Sequence, residues 1–231
     1  MNRLAQKNAS RLLPAWFEAG RTVLAVAALL TLAGCNNDSP SPQNKAAPAA
    51  VEPPQVGEQL QILPPNGWQL SASSNRGNFR RARYVRMPTE TTAQAPEARS
   101  VESLTFEYLD PDGLPDPIQF LEAMAAEQSE RCEEFSSRGI GAGLENGYPS
   151  AVRLLSCPYR KVNKSSTVSL AKAIAGNNGY YLIVFEKRGP SRRTASGWDT
   201  SHVSEDDIAS WSLYLRSTKA CDTERAEHPC N

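Results

Sequence analysis

The chain has 231 residues, and its 25 Lys and Arg are balanced by 25 Asp and Glu. That balance argues against a nucleic-acid binder, which carries a basic excess. The first segment is itself net basic, so the remainder is weakly acidic. Removing residues 1–34 takes away four basic side chains and one acidic one, leaving 21 against 24.

That first segment opens with Arg3, Lys7, Arg11 and Arg21 and runs on into an uncharged apolar stretch from Thr22 to Ala33. The stretch is about 12 residues long, whereas a helix needs roughly 20 to cross the hydrocarbon core of a bilayer. It reads as an export signal and is set aside from the fold. It ends in Leu32-Ala33-Gly34-Cys35.

Leu32-Ala33-Gly34-Cys35 resembles the lipobox of bacterial lipoproteins. The resemblance implies cleavage between Gly34 and Cys35 and acylation of the Cys35 thiol by diacylglycerol and a further chain such as palmitate. Several acyl chains on one cysteine make a stable anchor, since each buried CH₂ contributes about 0.8 kcal/mol. Asn36, standing where an aspartate would resemble the inner-membrane retention signal of enteric bacteria, implies the periplasmic face of the outer membrane. Residues 35–59 are then the lipidated cysteine and a tether rich in Pro, Ala, Ser and Asn. Such a composition cannot bury enough apolar surface to offset its ordering entropy.

What remains is enough for one core. Residues 60–220 are expected to form the domain and 221–231 a disulfide-closed tail. Four cysteines follow Cys35, an even number in an exported chain, which predicts two disulfides. Of the three possible pairings, chain order favours Cys132–Cys157 and Cys221–Cys230. The first joins two predicted core elements and the second brackets a short tail. The rival reading is a metal site of Cys221, His228 and Cys230, against which export to an oxidising space argues.

In chain order, Asn66-Gly67-Trp68 predicts a turn into a strand from Trp68 to Ser73. Phe79 to Met87 reads as a second strand, dense in arginine. After a polar loop, Val101 to Leu109 alternates: Leu104, Phe106 and Tyr108 share one face, and Ser103, Thr105 and Glu107 the other. Asp110-Pro111-Asp112-Gly113 predicts a turn. A helix should follow, with Asp116 as N-cap, Pro117 at its first position and Gln119 completing a capping box. Leu121, Ala125, Gln128, Cys132 and Phe135 recur at helical spacing, with Ile118 and Met124 beside them. That face is expected to carry Cys132 inward.

The stretch containing Gly139, Gly141, Gly143 and Gly147 reads as a flexible connector. Three strands are expected after it, at Ala151–Tyr159, Ser166–Ala175 and Tyr180–Lys187. Gly176-Asn177-Asn178-Gly179 favours positive φ and a tight hairpin between the last two. A polar loop spans Arg188 to His202. Ser204 then caps a final helix whose Glu205, Asp206 and Asp207 complement the dipole, with Ile208, Trp211 and Leu215 facing inward. The expected fold is α+β, an antiparallel sheet of about five or six strands packed with two main helices. This element order, from Trp68 to Ser217, resembles the Mog1/PsbP-like fold of the DcrB-like and mycobacterial LpqN-like envelope lipoproteins. It carries no functional residue across.

Chemistry is sparse. The chain has no G-x-S-x-G elbow, no H-E-x-x-H, no P-loop and no G-x-G-x-x-G after a strand. His202, in the polar loop, is the weak candidate for a general base. Asp110, Asp112 and Asp116 lack EF-hand spacing. No catalytic residue, cofactor or metal is assigned. Arg80, Arg81, Arg83 and Arg86 alternate along one strand, so Arg81 and Arg83 point together and are candidates for holding carboxylates or phosphates of a partner. The bland alternative is ion pairing within the sheet. Trp198 is a second candidate contact, or it folds back on the sheet.

The expectation is a non-enzymatic envelope lipoprotein that binds or assembles with another envelope protein or a cell-wall component. The alternatives are a small-ligand or ion-binding module and, last, an envelope hydrolase.

Overall fold

The computed structural model describes residues 57–86, 100–110, 112–195 and 197–230. The export segment, Gly34 and Cys35, the tether up to residue 56 and the loop at 87–99 lie outside the described residues. The elements, in order, are β1 (Glu58–Gln61), β2 (Trp68–Arg76), β3 (Phe79–Arg86), β4 (Val101–Leu109), α1 (Pro117–Glu130), β5 (Cys132–Glu133), β6 (Ser136–Glu145) and β7 (Tyr148–Cys157). There follow β8 (Tyr159–Arg160), β9 (Ser165–Ala175), β10 (Tyr180–Pro190), β11 (Arg192–Thr194), β12 (Gly197–Asp199), α2 (Glu205–Ser217) and β13 (Lys219–Asp222).

The fold is α+β. Its main sheet is antiparallel and has seven strands in the order β2-β3-β4-β10-β9-β7-β6. The seventh strand comes from the glycine stretch. Rather than a connector, Ser136–Glu145 is an edge strand, bulged between Gly139 and Gly141. Its exit is a two-residue loop in which Asn146 (φ 49°) and Gly147 (φ 83°) are both left-handed. This is the geometry that matches the twist of a hairpin, and Asn-Gly is the dipeptide that adopts it most readily.

The hairpin at residues 176–179 closes by other means. None of its residues takes positive φ. The loop is held instead by the Glu58 carboxylate, which accepts from the N–H groups of Asn177 (2.6 Å) and Asn178 (3.2 Å).

Each face of the sheet has its own helix. On one, Leu104, Leu170, Ile174, Ile183 and Phe185 pack with Trp211 and Leu215 of α2. On the other, Phe120 and Leu121 of α1 pack with Ala151, Ala171, Ala173, Tyr180 and Leu182. Strand β9 supplies both cores: Leu170 and Ile174 face α2, and Ala171 and Ala173 are small enough to let α1 approach. Asp116 caps α1 by accepting from the Ile118 N–H at 2.9 Å. The helix stops at Glu130, short of Cys132 and Phe135, and its buried residues are Pro117, Phe120, Leu121 and Ala125 rather than Ile118, which is exposed. Cys132 is buried from β5 instead. Ser204 and Asp207 form a reciprocal capping box on α2.

Cys132 is bonded to Cys157 and Cys221 to Cys230, with Cα atoms 5.6 and 5.0 Å apart. Closing a loop of 25 residues contributes on the order of 3 kcal/mol in the chain-entropy model. The second bond lies at a ribbon in which β1 pairs with β13, Glu58 opposite Asp222 and Gln61 opposite Lys219. The expected boundaries at 59/60 and 220/221 therefore fall inside paired strands.

The most unusual core residue is Lys172, at 2% exposure in the middle of β9. Its ammonium donates to the carbonyl oxygens of Leu215 and Thr218 at the C-terminal end of α2, and it pairs with the Glu145 carboxylate. A cation there satisfies carbonyls that the helix cannot bond itself and complements the dipole. Burial nevertheless pushes the ammonium below its ordinary pKa, with Glu145 opposing that shift.

Lys172→Met should keep the packed stem but leave the carbonyls and Glu145 without their cation, at a cost of about 3 kcal/mol in urea denaturation. Between the lowered folded pKa and the unfolded value of 10.5, the unfolded chain binds the extra proton. The wild type should therefore gain stability relative to Lys172→Met as pH rises through that window.

Candidate functional site

Helix α1 covers only part of its face of the sheet, the part over β7, β9 and the first residues of β10. The neighbouring strands carry polar residues on that face. The register aligns Arg81 with Glu107, Arg83 with Thr105, Ser103 with Glu186, Glu186 with Ser169, and Arg188 with Thr167. Ser103, Thr105, Thr167 and Ser169 are buried. The result is a floor of short hydroxyl side chains flanked by guanidinium and carboxylate groups.

Most of the strand arginines have partners within the fold. Arg81 pairs with Glu107 at 3.1 Å, Arg86 with Glu102 at 3.5 Å, and Arg80 lies 5.3 Å over the Tyr108 ring. Glu102 also accepts from the Trp211 indole N–H at 2.6 Å, tying α2 to β4. Arg83 differs in having no ion pair among the described residues; its buried Nε, like those of Arg81 and Arg188, also has no hydrogen-bond partner there. Ion pairing within the sheet thus occupies Arg81, while Arg83 keeps donor capacity.

Trp198 does not stand free. It stacks on Tyr159 with ring centroids 4.6 Å apart, and the Arg193 guanidinium lies 5.7 Å from its ring. The stack holds the β11–β12 hairpin, which forms inside the expected polar loop, against β8. No ring or ionic contact among the described residues joins Trp198 to Arg81 or Arg83.

The other candidates are engaged locally. A ring nitrogen of His202 lies 3.4 Å from the Lys187 carbonyl oxygen, which requires that nitrogen to carry the proton. Burial pushes its pKa down. Its ring packs so closely on Gly189 that a Cβ there would come within 2.7 Å of it. Asp110 accepts from the Asp112 N–H and from the Asn78 amide, and Asp116 is the helix cap. His228 stacks on Tyr148 at 4.0 Å and contacts the Asn146 carbonyl oxygen at 2.7 Å, beside the closed Cys221–Cys230 bond. Among the described residues no three His, Cys, Asp or Glu side chains cluster as a metal site would require.

Sequence reasoning passed over Glu186, Arg188 and Lys172. The signal for the first two was a change along one face of β10, where Tyr180, Leu182 and Val184 give way to Glu186 and Arg188. The signal for Lys172 was a charge at a position where alternation demands an apolar residue.

Glu107 offers a direct test of this polar face. Burial raises its pKa above the ordinary value, and Arg81 only partly offsets this. The folded chain therefore holds its proton more tightly than the unfolded chain, and stability declines as pH rises through the interval above 4.5. Glu107→Gln should match the wild type below that interval and be the more stable protein at pH 7 by thermal denaturation.

No family model matches the chain, and no curated protein does. Solved structures with a similar course include LpqN of Mycobacterium tuberculosis, described as involved in cell envelope biogenesis (12% identity, 73% of this chain and 87% of that chain, TM-score 0.39). A point mutant of Mog1 gives 12% identity over 69% of this chain and 89% of that chain, with a TM-score of 0.39. The Saccharomyces cerevisiae Ran-binding protein Mog1p gives 10% identity over 76% of this chain and 100% of that chain, with a TM-score of 0.40. At these scores no activity, ligand or partner carries over from them.

Proposed function

We propose that this protein is a lipid-anchored, non-enzymatic binding or assembly module of a bacterial envelope, held by Cys35 on the periplasmic face of the outer membrane. The observation that carries the reading is the cysteine inventory. Of five cysteines, four are consumed in two disulfides. The one left over is the cysteine of Leu32-Ala33-Gly34-Cys35. Disulfides persist in oxidising compartments, which agrees with an export signal ahead of them. The Pro- and Ala-rich tether then lets the domain reach a protein or cell-wall component away from the bilayer.

A second reading, a small-ligand module, draws on one feature. A groove of about 450 Å³ lies between Gln61, Ile62 and Leu63 on one side and Tyr214, Ser217 and Thr218 on the other. Its volume falls within the range of small-molecule sites.

Intact mass of protein extracted from membranes should show loss of residues 1–34 and added acyl chains. Cys35→Ser should move the protein out of the membrane fraction or leave it uncleaved. An unmodified chain, or unchanged membrane retention of the variant, would contradict the anchor. Brief crosslinking in intact cells should enrich one envelope partner with the wild type and lose it with Cys35→Ser. Equal recovery with both would remove the case for an anchored assembly role.

A further inference from the structure

The face of the sheet beside α1 ends at the Cys132–Cys157 disulfide, and three arginines converge on that bond. Arg160 stands opposite Cys132 in the β5–β8 pair. Arg131 adjoins Cys132, and its carbonyl oxygen accepts from the Lys161 N–H at 3.0 Å, which fixes it beside Arg160. Arg188 lies opposite Thr167, which in turn lies opposite Cys157. The register therefore places Arg131, Arg160 and Arg188 around one covalent link.

Their charges are unevenly matched. Arg131 pairs with Glu127 at 2.9 Å and Arg188 with Glu186 at 2.9 Å. Arg160 has no carboxylate at ion-pair distance among the described residues, and it is half-buried. Burial, Arg188 and Arg131 all disfavour its charge, with Glu186 opposing them. An arginine does not relieve such a position by losing its proton. Hydrogen-bond capacity is also left over. The Thr167 hydroxyl and Arg188 Nε are buried with no hydrogen-bond partner among the described residues, and both can donate. Excess positive charge beside two unused donors, on strands pinned by a disulfide, is the complement of an oxyanion.

We propose that Arg160, Arg188 and Thr167, with Arg131 at the rim, form a binding site for a single oxyanion group, a phosphate or a carboxylate. The proposal rests on the binding-module reading and names the chemistry of what is bound; it is independent of the lipid on Cys35. The arginine fork and the hydroxyl would hold the anion's oxygens, and Glu186 would orient Arg188 while limiting the net charge of the empty site.

The test is calorimetric titration of the purified full chain in non-ionic detergent at low ionic strength, with inorganic phosphate and with citrate as probes. One-site saturation by at least one probe is expected. Arg160→Gln and Arg188→Gln should each weaken it by about tenfold or more, and Arg160→Lys by less, because lysine keeps the charge and loses the fork. Arg138→Gln, on the exposed edge strand, should leave it unchanged. Tighter binding of phosphate would identify a phosphorylated partner group, and tighter binding of citrate a carboxylate one. No saturation with either probe up to about 10 mM, or equal affinity in Arg160→Gln and the wild type, would overturn the site. Circular dichroism checks folding, and Arg160→Lys supplies the comparison should Arg160→Gln fail to fold. A failure here with membrane anchoring intact would remove the oxyanion site and leave the anchor standing.

Discussion

A buried ammonium sits at the centre of this fold. Lys172 occupies a position on β9 where the alternation of Val168, Leu170 and Ile174 calls for an apolar side chain. From there it reaches the last carbonyls of α2 and the carboxylate at the end of β6. Three elements distant in sequence are joined at one atom. A hydrophobic residue would fill the same volume, but it would fix neither the axial position of α2 nor the end of the edge strand. Charge is costly to bury, so it persists only where its partners are in place.

Around that point the sheet divides its labour between its faces. The α2 face is rich in aromatic side chains: Phe185 stacks with Trp211 at 5.6 Å and meets Trp68 and Tyr214 edge-on. The α1 face is built from small side chains and becomes polar beyond the helix. One face therefore supplies most of the large apolar contact area, and the other is free to carry arginines, hydroxyls and carboxylates. The Cys132–Cys157 bond lies at the polar end of that face.

The helices, the central strands and the fold class were legible because their signals are local. Asp116-Pro117 and Ser204 with Asp207 specify helix starts through their own side chains and backbone. Alternation in 101–109 and 180–185 specifies strands. The misreadings fall where a distant partner decides. Glycine in Ser136–Glu145 suggested flexibility, yet an edge strand needs only one neighbour, and β7 provides it. Positive φ was expected within Gly176-Asn177-Asn178-Gly179, but a carboxylate more than 100 residues away holds the loop without it. Cys132 looked helical because Leu121, Ala125 and Gln128 precede it at the right spacing; a two-residue strand buries it instead. For the site, the arginines of β3 were visible as a pattern, but their pairing with Glu107 and Glu102 depends on strand register, which the pattern does not contain. Arg188 was marked only by the polar turn of one face of β10 and Arg160 by no pattern, since only the disulfide and the β8–β9–β10 arrangement bring them near each other.

The first described strand has a mechanical consequence. Gly57 exchanges hydrogen bonds with Thr223, donating to its hydroxyl at 2.8 Å and accepting from its N–H at 3.2 Å. Glu58 then grips the turn between the two central strands. Tension applied at Gly57 therefore enters the domain next to the turn between β9 and β10, not at the edge strands β2 and β6. To pull the domain open from that end, a force must first strip a ribbon backed by the Cys221–Cys230 crosslink. A load entering at Gly57 is therefore met first by the β1–β13 ribbon, and only after that ribbon gives way by the seven-stranded sheet.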